Sequence, residues 1–121
     1  PVLGNYLTIR TCVPIMGNRD EGMRIIARAR LRDFWLTPKY SDAEQPLKAW
    51  FDEVKNEVWK STQDIKSKYR SASFIANNRV VFNIHGNKYR LIVAVRYDIG
   101  IVFIKFIGTH KQYDDIDASR I

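Results

Sequence analysis

The 121-residue sequence predicts an α+β domain in which N-terminal helices pack on one face of an antiparallel β-meander. Three observations predict it. Leu47, Trp50, Phe51, Val54 and Val58 recur at helical spacing and form one apolar stripe. Beyond Ser71 the period shortens to two, with Val80, Phe82 and Ile84 alternating with Val81, Asn83 and His85. Two turn signals, His85-Gly86-Asn87-Lys88 and Asp98-Ile99-Gly100, then divide the apolar C-terminal half into strands.

Taken in order, residues 1–22 are punctuated by Gly4, Pro14 and Gly17 and hold no sustained period, which marks them as an N-terminal extension or an extra edge strand. The stretch Gly17–Gly22 can be encoded almost entirely by purines, as a bacterial ribosome-binding site is. That leaves a further alternative, in which Met23 is the natural start and the extension a translated leader. Met23–Ala27 fits a short strand. Ala27–Trp35 fits a helix, with Leu31, Phe34 and Trp35 on one side and Arg28 and Arg32 on another, ended by Pro38. Ser41-Asp42-Ala43-Glu44 has capping-box spacing, and Pro46 suits a first helical turn, so the striped helix begins there. Ser61 or Thr62 can cap a shorter helix running through Ile65 and Tyr69. Strands are expected at Arg79–His85, Tyr89–Tyr97 and Ile101–Ile107, the last broken by Gly108, with a helical turn at Lys111–Ile116.

Composition narrows the function. Apolar residues make up 45% of the chain and charged ones 27%, as in globular domains. A lone cysteine, Cys12, excludes an intrachain disulfide framework and a cysteine-rich zinc module, and it reads as a spectator rather than a catalytic thiol. No apolar run has membrane-spanning length, and no secretory signal stands near Pro1, which predicts a cytoplasmic protein without a membrane role. His85 and His110 have no carboxylate or thiol set at ligand spacing, so no metal and no cofactor is expected. The net charge of +7 points to a polyanionic partner. Residues 1–22 carry two basic and two acidic side chains, so the whole excess falls on residues 23–121, the expected working domain.

Within that domain the polar residues of the meander stand out. Lys88 and Arg90 flank Tyr89 after the hairpin, Arg96 ends the same strand, and Lys105 interrupts the next. Gly108-Thr109-His110-Lys111-Gln112-Tyr113 then gathers His, Lys and Tyr where that strand stops. Depending on register, Arg90, Arg96 and Lys105 share one concave face. Arg96 and Lys105 also fit the simpler role of solvated residues that keep a sheet soluble. A basic cleft with a histidine and a tyrosine suits attack of an RNA 2′-hydroxyl on its own phosphate. Imidazole can transfer protons near neutral pH, arginine can hold phosphate oxygens, and tyrosine can stack an unpaired base. Arg24, Arg28, Arg30 and Arg32 are then available to hold an RNA backbone without cutting it.

Two groups of residues carry a family resemblance. Met23-Arg24-Ile25-Ile26-Ala27 and Asp42-Ala43-Glu44-Gln45-Pro46-Leu47-Lys48-Ala49-Trp50 resemble the start and second helix of HigB-family toxins. Arg79–Ile84 with Gly86–Leu91, and Gly108-Thr109-His110-Lys111-Gln112-Tyr113-Asp114, are similar to that family's central hairpin and C-terminal motif. The resemblance spans 23–121 and implies a RelE-like fold within the RelE/ParE-like superfamily. It implies a ribosome-dependent mRNA endonuclease (an mRNA interferase) that halts translation until a HigA-type helix-turn-helix antitoxin neutralises it in a hetero-oligomeric complex. Residue by residue, it makes Arg90 the phosphate-binding arginine, His110 a proton-transfer residue and Tyr113 the base-stacking or hydrogen-bonding partner. Lys88 becomes a further phosphate contact, and Arg96, Lys105 and Lys111 complete the expected RNA-binding set. Two alternatives remain open at this point. One is a non-catalytic RNA- or protein-binding module using the same basic sheet face. The other is the gyrase-directed branch of the superfamily, against which His110 and Tyr113 argue.

Overall fold

The structure, a computed structural model, describes residues 22–121. The expected extension, Gly22 apart, and Cys12 lie outside the described residues. Strand β1 (Arg24–Ile26) leads through Ala27, held at φ 71°, into α1 (Arg28–Leu36). A 3-10 segment (Pro38–Ala43) connects to α2 (Glu44–Lys55), followed by α3 (Thr62–Lys68). Four strands complete the sheet: β2 (Ser73–Ile75), β3 (Arg79–Ile84), β4 (Tyr89–Arg96) and β5 (Ile101–Thr109). Helix α4 (His110–Asp114) follows directly.

The sheet order is β1-β5-β4-β3-β2. All neighbours are antiparallel except β1, which runs parallel to β5 with Ile25 opposite Val102. The α+β prediction therefore holds, with a parallel edge strand added to the meander. The helices lie on the face where Val80, Phe82, Leu91, Val93, Val102 and Ile104 point. Against these pack Leu31 and Trp35 of α1, Leu47, Trp50 and Val54 of α2, Trp59, and Ile65 of α3. Trp59 stacks on Phe82 at 6.1 Å between ring centroids, and Tyr69 meets the same ring edge-on at 5.1 Å. The opposite face holds a smaller cluster, in which Val81 and Ile92 are covered by Ala118 and flanked by Phe106, Tyr113 and Ile116.

Several local expectations are corrected. Val58 lies beyond the end of α2 and is 45% exposed, because Asn56 caps the helix by donating its backbone N–H to the carbonyls of Glu53 and Val54. The Ser41–Glu44 capping box does not form: Ala43 occupies the cap position, and the Asp42 carboxylate turns instead to Lys88 and Tyr89. In the β3–β4 turn the left-handed residues are His85 (φ 56°) and Gly86 (φ 67°), while Asn87 keeps negative φ. Strand β2 was not expected; its three residues pair with Arg79–Val81. Gly108 does not break the last strand, which continues to Thr109 with Gly108 paired to Arg90.

Strand β5 contains one bulge. Ile92 pairs with Phe106 and Val93 with Ile104, so Lys105 is the extra residue. Val102 and Ile104 point to the helices before it, and Ile107 does after it. Phe106 joins the opposite cluster. The α1 residue Arg30 reaches the bulge and donates to the Lys105 carbonyl at 3.5 Å.

Candidate active site

The thinly covered face of the sheet carries a cluster of Arg90, His110 and Tyr113. Arg90 is the second residue of β4. Strand alternation turns it away from the helical core, since its neighbours Tyr89 and Leu91 are buried there. Across the ladder stand Gly108 on β5 and Asn83 on β3. His110 opens α4 and Tyr113 lies three residues on, which places them on the same side of one helical turn. Arg90 reaches both. Its Nε donates to His110 Nε2 at 3.2 Å, and its guanidinium carbon sits 5.0 Å from the centre of the Tyr113 ring. All three are half-buried, and so open to a ligand.

Helix α4 is too short to persist on propensity alone, and local bonds define its first turn. Thr109 and Gln112 form a complete capping box. The Gln112 N–H donates to Thr109 Oγ1 at 3.2 Å, and the Thr109 N–H donates to Gln112 Oε1 at 2.9 Å. Gln112 Nε2 also donates to the Tyr40 hydroxyl at 3.4 Å. The Gln112 side chain fits because Gly108 lacks one: a Cβ there would stand 2.5 Å from Gln112 Oε1 and 2.6 Å from the Phe106 ring.

The four remaining expected RNA contacts are dispersed. Lys88 binds the Asp42 carboxylate, which also accepts from the Tyr89 hydroxyl, so its charge is already compensated. These bonds hold the Asp42 carboxyl below its usual range, with Lys88 the larger cause and Tyr89 next. The same contact raises the Lys88 ammonium. Arg96 ends β4, six residues and roughly 20 Å from Arg90, and pairs with Asp98 at 3.3 Å. The expected convergence of Arg90, Arg96 and Lys105 is thus corrected. Arg96 shares the face but lies at its far end. Lys105 sits on the bulge with its ammonium 5.8 Å from the Phe103 ring. Lys111 is exposed on α4 beside His110. Among the described residues neither Lys105 nor Lys111 has an acidic partner.

Two features of the site escaped the sequence reading. Asn83 lies across the ladder from Arg90, with Oδ1 sequestered and without a partner among the described residues. An open concavity of about 500 Å³ adjoins Tyr113, lined also by Ile75, Asp114, Ile116 and Asp117. No local motif marks either one; both depend on strand register and on the path of the C-terminal segment. Among the described residues no three His, Cys, Asp or Glu side chains gather as a metal site, and no helix is long and apolar enough to cross a membrane.

Comparison with known proteins fits this geometry. The chain is 26% identical over 98 residues to the mRNA interferase toxin HigB of Escherichia coli (strain K12), covering 79% of this chain and 92% of that protein. The mRNA interferase HigB proteins of Escherichia coli O157:H7 and Shigella flexneri match to the same extent. Residues 43–116, from the start of α2 through α4, match the family model of HigB toxins, described as the RelE-like toxic component of a toxin-antitoxin system. With more than half of its length matched, and with Arg90, His110 and Tyr113 inside the matched segment, the chain belongs to the HigB toxin family.

Proposed function

We propose that this toxin is an mRNA interferase that cleaves RNA at the Arg90–His110–Tyr113 cluster. The observation that carries this reading is that one guanidinium joins an imidazole at 3.2 Å and a phenol ring at 5.0 Å on an open sheet face. The family membership and the relatives named mRNA interferase support it. In the reaction, the substrate's 2′-oxygen attacks the adjacent phosphorus and the bond to the 5′-oxygen breaks. The products are a 2′,3′-cyclic phosphate and a 5′-hydroxyl. His110 takes the proton of the 2′-hydroxyl or delivers one to the departing 5′-oxygen, with solvent water completing the other transfer; Arg90 stabilises the charge that grows on the phosphorane oxygens, and Tyr113 supports an unpaired base beside the concavity. With His110 and water moving the protons and Arg90 meeting the charge, this reading assigns no step to a metal ion.

The Arg90–His110 bond has a chemical consequence. A lone pair on Nε2 that accepts from Arg90 is not free to accept a substrate proton, and the imidazole proton then resides on Nδ1. When a phosphate draws the guanidinium away, Nε2 is released. Substrate capture and the freeing of the base are then one event.

Partners follow from charge and family. The family implies an antitoxin; we assign it to the helix-turn-helix HigA type, with an acidic segment that crosses the basic face. The ribosome and its mRNA are the substrate assembly, gripped by Lys105, Lys111 and the α1 arginines, with Lys88 and Arg96 as outlying contacts. The compartment is the cytoplasm, and the working unit begins at Met23. Primer extension on a translated mRNA tests the function. Cuts in the presence of wild type, absent with His110→Ala and with a 2′-deoxy nucleotide at the scissile position, are expected. Translation arrest without any cut would replace this reading with that of an RNA-binding module.

A further inference from the structure

We propose that Gln112 is a positioning residue that sets His110 and Tyr113 against Arg90. The inference rests on the site assignment just made. Three observations carry it. First, Gln112 is bonded at both ends of its carboxamide: Oε1 accepts from the Thr109 N–H at 2.9 Å and Nε2 donates to the Tyr40 hydroxyl at 3.4 Å. Second, the Gln112 backbone N–H closes the turn on Thr109 Oγ1 at 3.2 Å, so Thr109 and Gln112 bracket His110 with reciprocal bonds, one of which is made by the Gln112 side chain. Third, the carboxamide occupies space above Gly108 that any other residue would fill, and Gly108 is the ladder partner of Arg90.

Tyr40 makes the link longer. Its ring stacks on Phe34 at 4.4 Å and meets Tyr89 edge-on at 6.0 Å, and Tyr89 is bonded to Asp42. The 3-10 segment is thereby fastened to β4 by Asp42 and to α4 by Tyr40. Through Tyr40, Gln112 hydrogen-bonds the helical layer to the turn that carries His110 and Tyr113. The residue has the length and the two-sided hydrogen bonding that this role needs. Glutamate retains the acceptor that closes the turn but loses the donor to Tyr40, and methionine retains only the length.

The test uses the full chain with Gln112→Met, Gln112→Glu and Gly108→Ala, reading the His110 ring by nitrogen-resolved NMR and cleavage by kcat and KM. Gln112→Met is expected to shift the His110 ring resonances and lower kcat about tenfold or more, with KM within about twofold, because reacting groups are misplaced rather than substrate lost. Gln112→Glu is expected to give a kcat between those of Gln112→Met and wild type, since it keeps the capping acceptor and loses the donor to Tyr40. Gly108→Ala displaces the carboxamide from the opposite side and should reproduce the methionine variant, which keeps the test decisive if one variant fails to fold. Unmoved His110 resonances in folded Gln112→Met overturn the proposal whatever the activity. Full cleavage by His110→Ala overturns the site assignment instead, and leaves the resonance shift as the measure of positioning.

Discussion

On one face of the sheet, three helices bury Trp50, Trp59, Phe82 and Leu91 in a continuous core; on the other, a short C-terminal segment covers little more than Val81 and Ile92. The cluster of Arg90, His110 and Tyr113 belongs to the second face. The difference separates two demands on one sheet. The helical face supplies free energy of folding through area removed from water. The open face leaves polar groups accessible, so that a guanidinium, an imidazole and a phenol meet without the cost of burying a charge.

The largest expected effect would break the comparison if it fell on stability instead of activity. His110→Ala should lower cleavage by about 10²–10⁴-fold, the usual worth of a positioned proton-transfer group, with a thermal midpoint near wild type. Arg90→Ala should lower it comparably, through lost charge stabilisation in the transition state. Trp59→Ala tests the opposite face: about 3–5 kcal/mol of stability should be lost in denaturant titration, because the indole is fully buried among Tyr69 and Phe82. Its residual activity should follow the folded fraction alone.

The smallest effect concerns the seam between the faces. Asp42 is depressed by its bonds to Lys88 and Tyr89, so its stabilisation is present above the ordinary carboxylate range and is lost as pH falls through the lower folded value. Thermal midpoints of wild type and Asp42→Asn should differ by a constant amount at neutral pH and converge in acid. An effect that instead grew on acidification would assign the latch to other groups. Arg96→Ala, far from the cluster and compensated by Asp98, should leave the single-turnover cleavage rate at saturating ribosome within about twofold of wild type, its loss falling on ribosome binding instead.

The two faces also differ in how much of them local sequence encodes. The helical core followed from spacing: Leu47, Trp50 and Val54, and Val80, Phe82 and Ile84, are all buried as their periods require. Arg90, His110 and Tyr113 were found by residue type, turn position and family resemblance, and their meeting depends on the β4–β5 register. What could not be read depends on long-range choices. Asp42 has good capping chemistry for α2 yet bonds Lys88, 46 residues away, because a cation and a phenol are a better match for its charge than one backbone N–H. The three-residue β2 is too short for any period to register. Asn83 was placed on the correct face, but not beside Arg90, since alternation fixes a face and leaves the cross-strand partner open.

The bulge at Lys105 makes the length of β5 a part of its message. Inside a strand the parity of a residue number decides its face, and one extra residue reverses parity for everything downstream. Counting from Val102 without interruption, Phe106 and Gly108 would fall on the helical face, and α4 would set out from the wrong side of the sheet. Lys105→Ala alters one ammonium, and deleting Lys105 restores a regular ladder with Phe106 and Ile107 on their present faces; adding one further regular residue after Lys105 inverts the segment that delivers His110. At this position the toxin is expected to tolerate a change of letter, and even its loss, and to fail on an addition.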